Sequence, residues 1–215
     1  MSPELEQYIL AHISKEPEEL RLLERATNLR LVNGRMCSGH LQGRLLKMLV
    51  GMLRPERVLE LGTFSGYSAL CIAEALEGDA TLDTIEADDE LEDFIKDAIA
   101  TSPHGHRITL HIGDAVEQMR TFDAERFDLI FIDADKRQYP AYYEESMRIL
   151  KTGGYIIADN TLWDGHVTDA RRRERDRQTE GVCEFNDMVA ADSRVEKVIV
   201  PMRDGLTLIR KLKER

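Results

Sequence analysis

Apolar and polar residues follow two different patterns along this chain, and the change comes near Pro55. Before it, Leu20, Leu23, Ala26 and Leu29 to Leu31 recur at helical spacing, and Leu41, Leu45, Leu46, Leu49 and Leu53 repeat the stripe. Apolar residues three and four apart line one face of a helix, so residues 2–53 are predicted to be helical, without a strand. Pro17 suits a first helical turn, and Asn33-Gly34 is a stop signal.

After Pro55 short apolar runs alternate with amphipathic stretches. Strands are predicted at 58–61, 80–85, 108–112, 127–132 and 155–158, the last opened by Gly153-Gly154. Helices are predicted between them at 67–76, 89–100, 114–120 and 139–150. Short apolar runs bounded by turn residues read as strands buried on both faces. Their alternation with helices predicts an α/β fold with a parallel sheet. The ending differs. A helix over 183–191 precedes two apolar runs, 195–202 and 206–211, that flank Arg203-Asp204-Gly205. An Asp-Gly turn between such runs signals an antiparallel hairpin.

The 215 residues suffice for one sizeable core, so a single domain over 1–215 is expected. Hydrophobic residues make up 42 % and charged residues 32 %, without repeats, which is ordinary for a globular protein. A net charge of −11 disfavours non-specific binding to nucleic acid or anionic membranes. No apolar run approaches the roughly 18 residues of a membrane span, and no basic-then-apolar leader begins the chain. Cys37, Cys71 and Cys183 are widely spaced and odd in number, which suits reduced thiols in a cytoplasmic protein.

The candidate chemistry sits at strand ends. Asp133-Ala134-Asp135-Lys136 follows the strand 127–132, and Asp159-Asn160 follows 155–158. Parallel strands present their carboxyl ends in one row, where ligands bind. Asp133, Asp159 and Asn160 would converge there with Lys136. That all-oxygen set suits Mg²⁺, Mn²⁺ or Ca²⁺ better than zinc. The first strand carries Glu60 and runs into Gly62-Thr63-Phe64-Ser65-Gly66. This spacing lacks the dinucleotide fingerprint, and an acidic strand residue suits a cationic, non-phosphorylated ligand. Ser68, at the next helix start, suits that ligand's carboxylate. Glu86 ends the second strand, where an acid can accept ribose hydroxyls. Gly113-Asp114-Ala115 follows the third.

Taken in order, VLELGTFSGYSAL (58–70), Glu86, GDA (113–115), FDLIFIDADKRQY (127–139), GGYIIADNTLW (153–163) and DGLTLIRK (204–211) carry a resemblance. The chain resembles the cation-dependent O-methyltransferases, which include catechol and caffeoyl-coenzyme A O-methyltransferases, and is most similar to the short bacterial members. The likeness runs from about Met36 onward. It implies a Rossmann-like, S-adenosylmethionine-dependent methyltransferase fold with a seven-stranded, mostly parallel sheet closed by the carboxyl-terminal antiparallel hairpin. Residues 1–53 would be a helical lid and dimer segment, and 54–215 the cofactor- and metal-binding core of a homodimer.

The resemblance implies roles as well. Asp133, Asp159 and Asn160 match the metal ligands, Mg²⁺ being the expected ion, and Lys136 matches the general base. Glu60, Ser68, Glu86, Ala115 and Asp133 match cofactor contacts, so Asp133 serves metal and cofactor alike. Gly62, Thr63, Gly66, Tyr67, Ala87, Gly113 and Asp114 belong to the same cofactor-binding segments. Met36 and Ser38 match the segment that closes over the methionine end of the cofactor. The family's Pro-x-Glu-Gly there reads Gly39-His40-Leu41-Gln42-Gly43 in this chain. The further acid that catechol-specific relatives place beyond the last metal ligand has no motif that locates it.

The implied reaction is methylation of one hydroxyl of a small catechol-like aromatic acceptor. A tRNA with a hydroxylated wobble uridine, the acceptor of some bacterial members, is the alternative. Between Arg171 and Arg177 lie five arginines against two acids. They are expected as a solvated, mobile loop, or as a contact for an anionic acceptor such as a coenzyme A thioester or tRNA phosphates. Trp163 stands open between an acceptor-pocket wall and simple packing, and His166 is expected to be a plain loop residue. Met36-Cys37 would line the acceptor entrance. Asp135 is expected to cap, Cys71 to be a buried thiol, and Tyr139, Tyr142 and Tyr143 to pack their helix.

Overall fold

The structure is a computed structural model that describes residues 2–213; Met1, Glu214 and Arg215, which the 1–215 expectation includes, lie outside the described residues. In chain order the elements begin with α1 (Pro3–His12), α2 (Glu18–Arg30), α3 (Gly39–Leu53), β1 (Arg57–Leu61), α4 (Tyr67–Ala73), β2 (Thr81–Glu86), α5 (Glu92–Thr101) and β3 (Ile108–Ile112). They continue with α6 (Ala115–Thr121), β4 (Phe127–Ile132), α7 (Tyr139–Ile149), β5 (Leu150–Asp159), α8 (Ala170–Arg173), α9 (Arg177–Ala191), β6 (Val195–Val200) and β7 (Leu206–Lys211). The strands form one seven-stranded sheet in the order β3-β2-β1-β4-β5-β7-β6.

Two compact units divide the chain. One comprises the chain up to Glu56 together with Thr63–Ile112. Ser2 caps α1 by accepting the Leu5 N–H at 3.3 Å, and Pro17 stands at the N-cap of α2, just before the first turn expected for it. Leu20, Leu23, Cys37, Tyr67, Leu70 and Cys71 pack into a buried cluster. Gly43 lets α3 approach α4 closely, since a Cβ there would lie 2.6 Å from Cys71 Sγ. Arg44, almost fully buried, pairs with Glu74 at 2.6 Å, so the apolar stripe of α3 carries a compensated charge. Strands β2 and β3 run parallel, with Leu82 opposite Ile108 and Glu86 opposite Ile112.

The other unit comprises Arg57–Gly62 and the chain from Gly113 on. Here β1 pairs in parallel with β4, Val58 opposite Leu129 and Leu61 opposite Ile132. Strand β4 pairs in parallel with β5, and β7 lies antiparallel to both β5 and β6. The order of connection reverses at β1 and β4. Such a reversal opens a crevice at the carboxyl ends of the strands, where open sheets bind ligands.

Two elements depart from expectation. Strand β5 starts at Leu150, before the two glycines: Leu150 pairs with Phe127 and pairing resumes at Tyr155 with Leu129, the register shift between them spanning Gly153, whose φ of 88° only glycine adopts readily. The arginine segment is partly helical: Arg171 to Arg173 end α8, Arg177 starts α9, and a turn over Glu174 to Asp176 joins them. Asp169 accepts the N–H groups of Arg171 and Arg172 to start α8, and Asp176 accepts the Gln178 N–H to start α9. Acidic caps stabilise the positive ends of both helices.

Candidate active site

The carboxyl ends of β4 and β5 bring Asp133, Lys136, Tyr139 and Asp159 together. Asp133 extends β4 by one residue, its N–H donating to Leu61 O at 2.9 Å. Gly62 faces it with φ 92°, and a Cβ there would lie 2.1 Å from Asp133 O. Any other side chain would displace the Asp133 backbone.

Asp135 caps the following turn of 3-10 helix, as expected. It accepts the Arg137 N–H at 3.1 Å and binds the Arg137 guanidinium through both oxygens. Hydrogen bonding from Arg137 holds its carboxyl below the usual range. The turn folds Lys136 back over the sheet end. Lys136 is buried, its Nζ 2.9 Å from Asp133 Oδ1 and 2.7 Å from the Tyr139 hydroxyl. Tyr139 in turn donates to Asp159 O at 2.9 Å. Burial, with the charges of Asp133 and Asp159 added, pushes the Tyr139 phenol well above its ordinary range, so it stays protonated.

Asp159 ends β5, buried, and accepts the Asn160 N–H at 2.8 Å. Asn160 adopts φ 56°, a left-handed conformation that asparagine tolerates better than most residues. The turn between β6 and β7 holds this segment. Gly205 O accepts the Thr161 N–H at 3.1 Å, Asp204 O accepts the Leu162 N–H at 2.9 Å, and the Asp204 carboxylate accepts the Asp164 N–H. Thr207 Oγ1 donates to Thr161 Oγ1 at 2.7 Å. Burial raises the Asp204 carboxyl, against the lowering effects of the Asp164 N–H and the nearby charges of Lys136 and His166. An acid therefore stands near the base candidate, far along the chain from the Asp159 motif.

Support also comes from α9. A Cβ on Gly181 would lie 2.3 Å from Lys136 O. Gly181→Ala should therefore push the Lys136 turn away from the helix and lower turnover about 10- to 100-fold, the scale of an ångström-sized misplacement. Steady-state kinetics checks this; unchanged turnover would show that the contact relaxes without moving Lys136.

The glycine turn belongs to the other unit. Gly66, at φ 84°, caps α4. The Thr63 N–H donates to Ile85 O at 3.2 Å, and Thr63 and Thr84 share a hydroxyl hydrogen bond of 2.7 Å. Glu86 accepts the Phe64 N–H at 2.7 Å and the Asp88 N–H at 2.9 Å. Two of the carboxylate's roughly four lone-pair sites are thus spent on shaping the turn. Ser68 is buried at the start of α4, and Ser65 Oγ is buried with no hydrogen-bond partner among the described residues.

Tyr67 directs its side chain elsewhere: its ring joins the cluster beneath α2 and α3, and its hydroxyl donates to Glu16. It shapes the helix start from behind. Met36 is exposed on a short 3-10 turn, Ser38 is buried just before α3, and Ala87 is exposed after β2. In the unit that holds Asp133, Glu60 is fully buried within β1. Gly113 has φ 143°, and Asp114 caps α6 by accepting the Glu117 N–H at 3.0 Å, which places Ala115 at the first helical position.

Residues 11–212 match the family described as O-methyltransferase. Over 223 aligned residues the chain is 34 % identical to caffeoyl-CoA O-methyltransferase 1 of Zea mays, covering 99 % of this chain and 86 % of that enzyme. The chain belongs to the O-methyltransferase family. Tricin synthase 1 of Oryza sativa subsp. japonica is 31 % identical, with 98 % and 89 % covered. Among solved structures, the O-methyltransferase TomG from Streptomyces achromogenes, in complex with SAM, superposes with a TM-score of 0.89 at 28 % identity, covering 98 % and 96 % of the two chains. An O-methyltransferase from Bacillus cereus in complex with SAH does so at 0.86 and 26 % identity, each chain covered to 97 %.

As an O-methyltransferase the chain has the seven-stranded, mostly parallel sheet and closing hairpin that its motifs predict. Among the described residues no group of three or more His, Cys, Asp or Glu side chains is arranged to hold a metal ion. The expected ligand set has only two such side chains, its third donor being the Asn160 amide. Trp163 and His166 lie half-buried on a kinked 3-10 segment. Tyr142 and Tyr143 pack as expected, Tyr143 also donating to Asp192 at 2.9 Å. Burial pushes the Cys71 thiol up to about 12, which leaves it protonated and inert.

Proposed function

We propose that this O-methyltransferase moves the methyl group of S-adenosylmethionine to one hydroxyl of a catechol-like aromatic acceptor, with a divalent cation bound beside Lys136. The observation that carries this reading is the continuous chain Asp133, Lys136, Tyr139, Asp159 at the carboxyl ends of β4 and β5. The Lys136 amine there stands between the Asp133 carboxylate and the Tyr139 hydroxyl.

The residues fit both absent groups. For the cofactor, Ser65 Oγ is a buried polar atom without a partner, and Glu86 keeps acceptor capacity beyond its two backbone bonds. Glu60, Ser68, Glu86, Ala115 and Asp133 would hold the cofactor, with the turns Gly62–Ser68 and Gly113–Ala115 and the residues Ala87, Met36 and Ser38 around it. For the cation, the donor set Asp133, Asp159 and Asn160 is all oxygen, and Lys136 and Tyr139 link Asp133 to the backbone of Asp159. Such donors suit Mg²⁺, with Mn²⁺ and Ca²⁺ as chemical equivalents.

The sulfonium of the cofactor supplies an activated methyl group, and a dication supplies charge that stabilises the acceptor oxygen as an anion. The rest falls to the chain. Lys136 Nζ takes the proton of the acceptor hydroxyl. Asp133 holds Lys136 in place, and the clamped Asn160 segment keeps the ligand side chains from drifting. Holding oxygen and methyl carbon in line supplies much of the remaining acceleration.

A wobble-uridine acceptor finds no support. The relatives named above point to no nucleic-acid acceptor, and the arginine segment is partly engaged within the protein, Arg173 pairing with Asp187 at 2.9 Å. A homodimer is supported by exposed apolar side chains on the amino-terminal helices, Leu29, Met48 and Met52 among them. Cys37, Cys71 and Cys183 are buried thiols, which suits a reducing compartment such as the cytoplasm. No helix among the described residues is long and apolar enough to cross a membrane.

The test offers the protein a vicinal diphenol and labelled S-adenosylmethionine with and without Mg²⁺. Label transfer should require both cofactor and cation, stop with chelator, and fall at least about 100-fold in Asp159→Ala. Undiminished transfer by Asp159→Ala in the presence of chelator would sink the cation mechanism.

A further inference from the structure

The amino-acid sequence assigns Tyr139 only a packing role, but its hydroxyl has a forced polarity. A phenolic hydroxyl carries one proton and two acceptor sites. Within reach are the backbone carbonyls of Asp159 at 2.9 Å and Ile132 at 3.3 Å, and Lys136 Nζ at 2.7 Å. Carbonyl oxygens can only accept. The single proton of Tyr139 is therefore spent on a carbonyl, the nearer being that of Asp159. Towards Lys136 the hydroxyl can only accept, and the amine must donate.

The amine is constrained in turn. Lys136 Nζ donates a second hydrogen bond to Asp133 Oδ1 at 2.9 Å. A tetrahedral nitrogen with its carbon substituent and two engaged N–H groups has one position left. We propose that Tyr139 is a positioning residue for methyl transfer: its hydroxyl, together with Asp133, fixes two amine hydrogens of Lys136 and so aims the remaining position of Nζ at the acceptor hydroxyl. This rests on the reading of Lys136 as the base.

The surroundings are built for that task. Tyr139 is fully buried, its ring packed edge-on against Phe185 at 5.4 Å, and Lys136 Nζ lies 4.7 Å from the ring centre. The ring is thus held by contacts that do not involve its hydroxyl. The same hydroxyl ties the Lys136 turn to the end of β5, so the base and Asp159 keep a fixed spacing.

Four full-length proteins test the proposal: wild type, Tyr139→Phe, Lys136→Ala and the double variant. Tyr139→Phe keeps the ring and removes only the hydroxyl. It should lower kcat about 10- to 100-fold with the acceptor KM and cofactor affinity within about twofold. In the Lys136→Ala background the same change should cost less than about twofold, because there is no amine left to aim. A crystal structure of Tyr139→Phe should show Nζ displaced while the Asp159 carbonyl stays in place.

An equal loss in both backgrounds, or a raised KM at unchanged kcat, would overturn the positioning role. So would an unmoved Nζ in a protein whose Lys136→Ala form is inactive, and this outcome leaves the base assignment standing. Full turnover by Lys136→Ala would instead bring down the base assignment itself. Should Tyr139→Phe not fold, 3-fluorotyrosine at position 139 keeps the hydroxyl and weakens it as an acceptor. A smaller loss that again vanishes in Lys136→Ala is then expected, and a loss that persists there overturns the proposal.

Discussion

Asp133→Asn is expected to lower methyl transfer about 10³-fold, close to 4 kcal/mol of transition-state stabilisation, while leaving the fold intact. Asparagine has the shape of aspartate, and the backbone bond from residue 133 to Leu61 O does not involve the side chain. What disappears is a charge that faces Lys136 at 2.9 Å and is proposed to face cation and cofactor as well. Three losses should therefore appear together: weaker Mg²⁺ binding, weaker cofactor binding and a lower kcat. Calorimetric titration of each ligand separately, beside the kinetics, checks this. If cofactor affinity holds while only cation affinity falls, Asp133 is a metal ligand alone; if both hold, the proposed shared role is wrong.

Gly62→Ala is expected to be strongly destabilising. With φ at 92°, alanine is strained before any neighbour is considered, and its Cβ would lie 2.1 Å from Asp133 O. The obstacle is backbone in a sheet-end position, so it cannot rotate aside. A loss of about 3 kcal/mol or more follows from strain and overlap together. At about 2–4 °C per kcal/mol for a chain of this size, that is a fall of about 6–12 °C in Tm. Thermal unfolding of Gly62→Ala beside Gly78→Ala separates the two causes. Gly78 also has positive φ, at 54°, but has nothing within 4 Å of a Cβ. Equal losses at both positions would mean that overlap with Asp133 adds nothing.

The alternation of apolar runs made the strand and helix order legible, and the carboxylates were legible because each directly follows such a run. Four kinds of feature were hidden. Strand β5 was foreshortened because Lys151 to Gly154 has the composition of a turn, and only pairing with a neighbour shows that it continues. The arginine segment looked like a solvated loop because its caps, Asp169 and Asp176, read as two more charges in a charged stretch. Side-chain direction was hidden too. Tyr67 lies in the cofactor motif yet points towards Glu16, and Tyr139 lies on a packing face yet spends its hydroxyl on Lys136 and Asp159. Asp204 and Gly181 act across long stretches of chain, and no local pattern signals that.

The position of β7 has a bearing on the order in which the protein can be made. It is the last strand in chain order, yet it lies between β5 and β6. The turn that leads into it holds Thr161, Leu162 and Asp164. While the chain grows from its amino end, β4 and β5 can pair early, but β5 keeps an open edge until Leu206–Lys211 has emerged. The segment after Asp159 then also lacks its clamp. Nascent chains short of Leu206 would therefore expose a sheet edge and leave the Asp159-Asn160 segment unsupported at the same time, so the proposed catalytic arrangement is among the last parts of this protein to come into being.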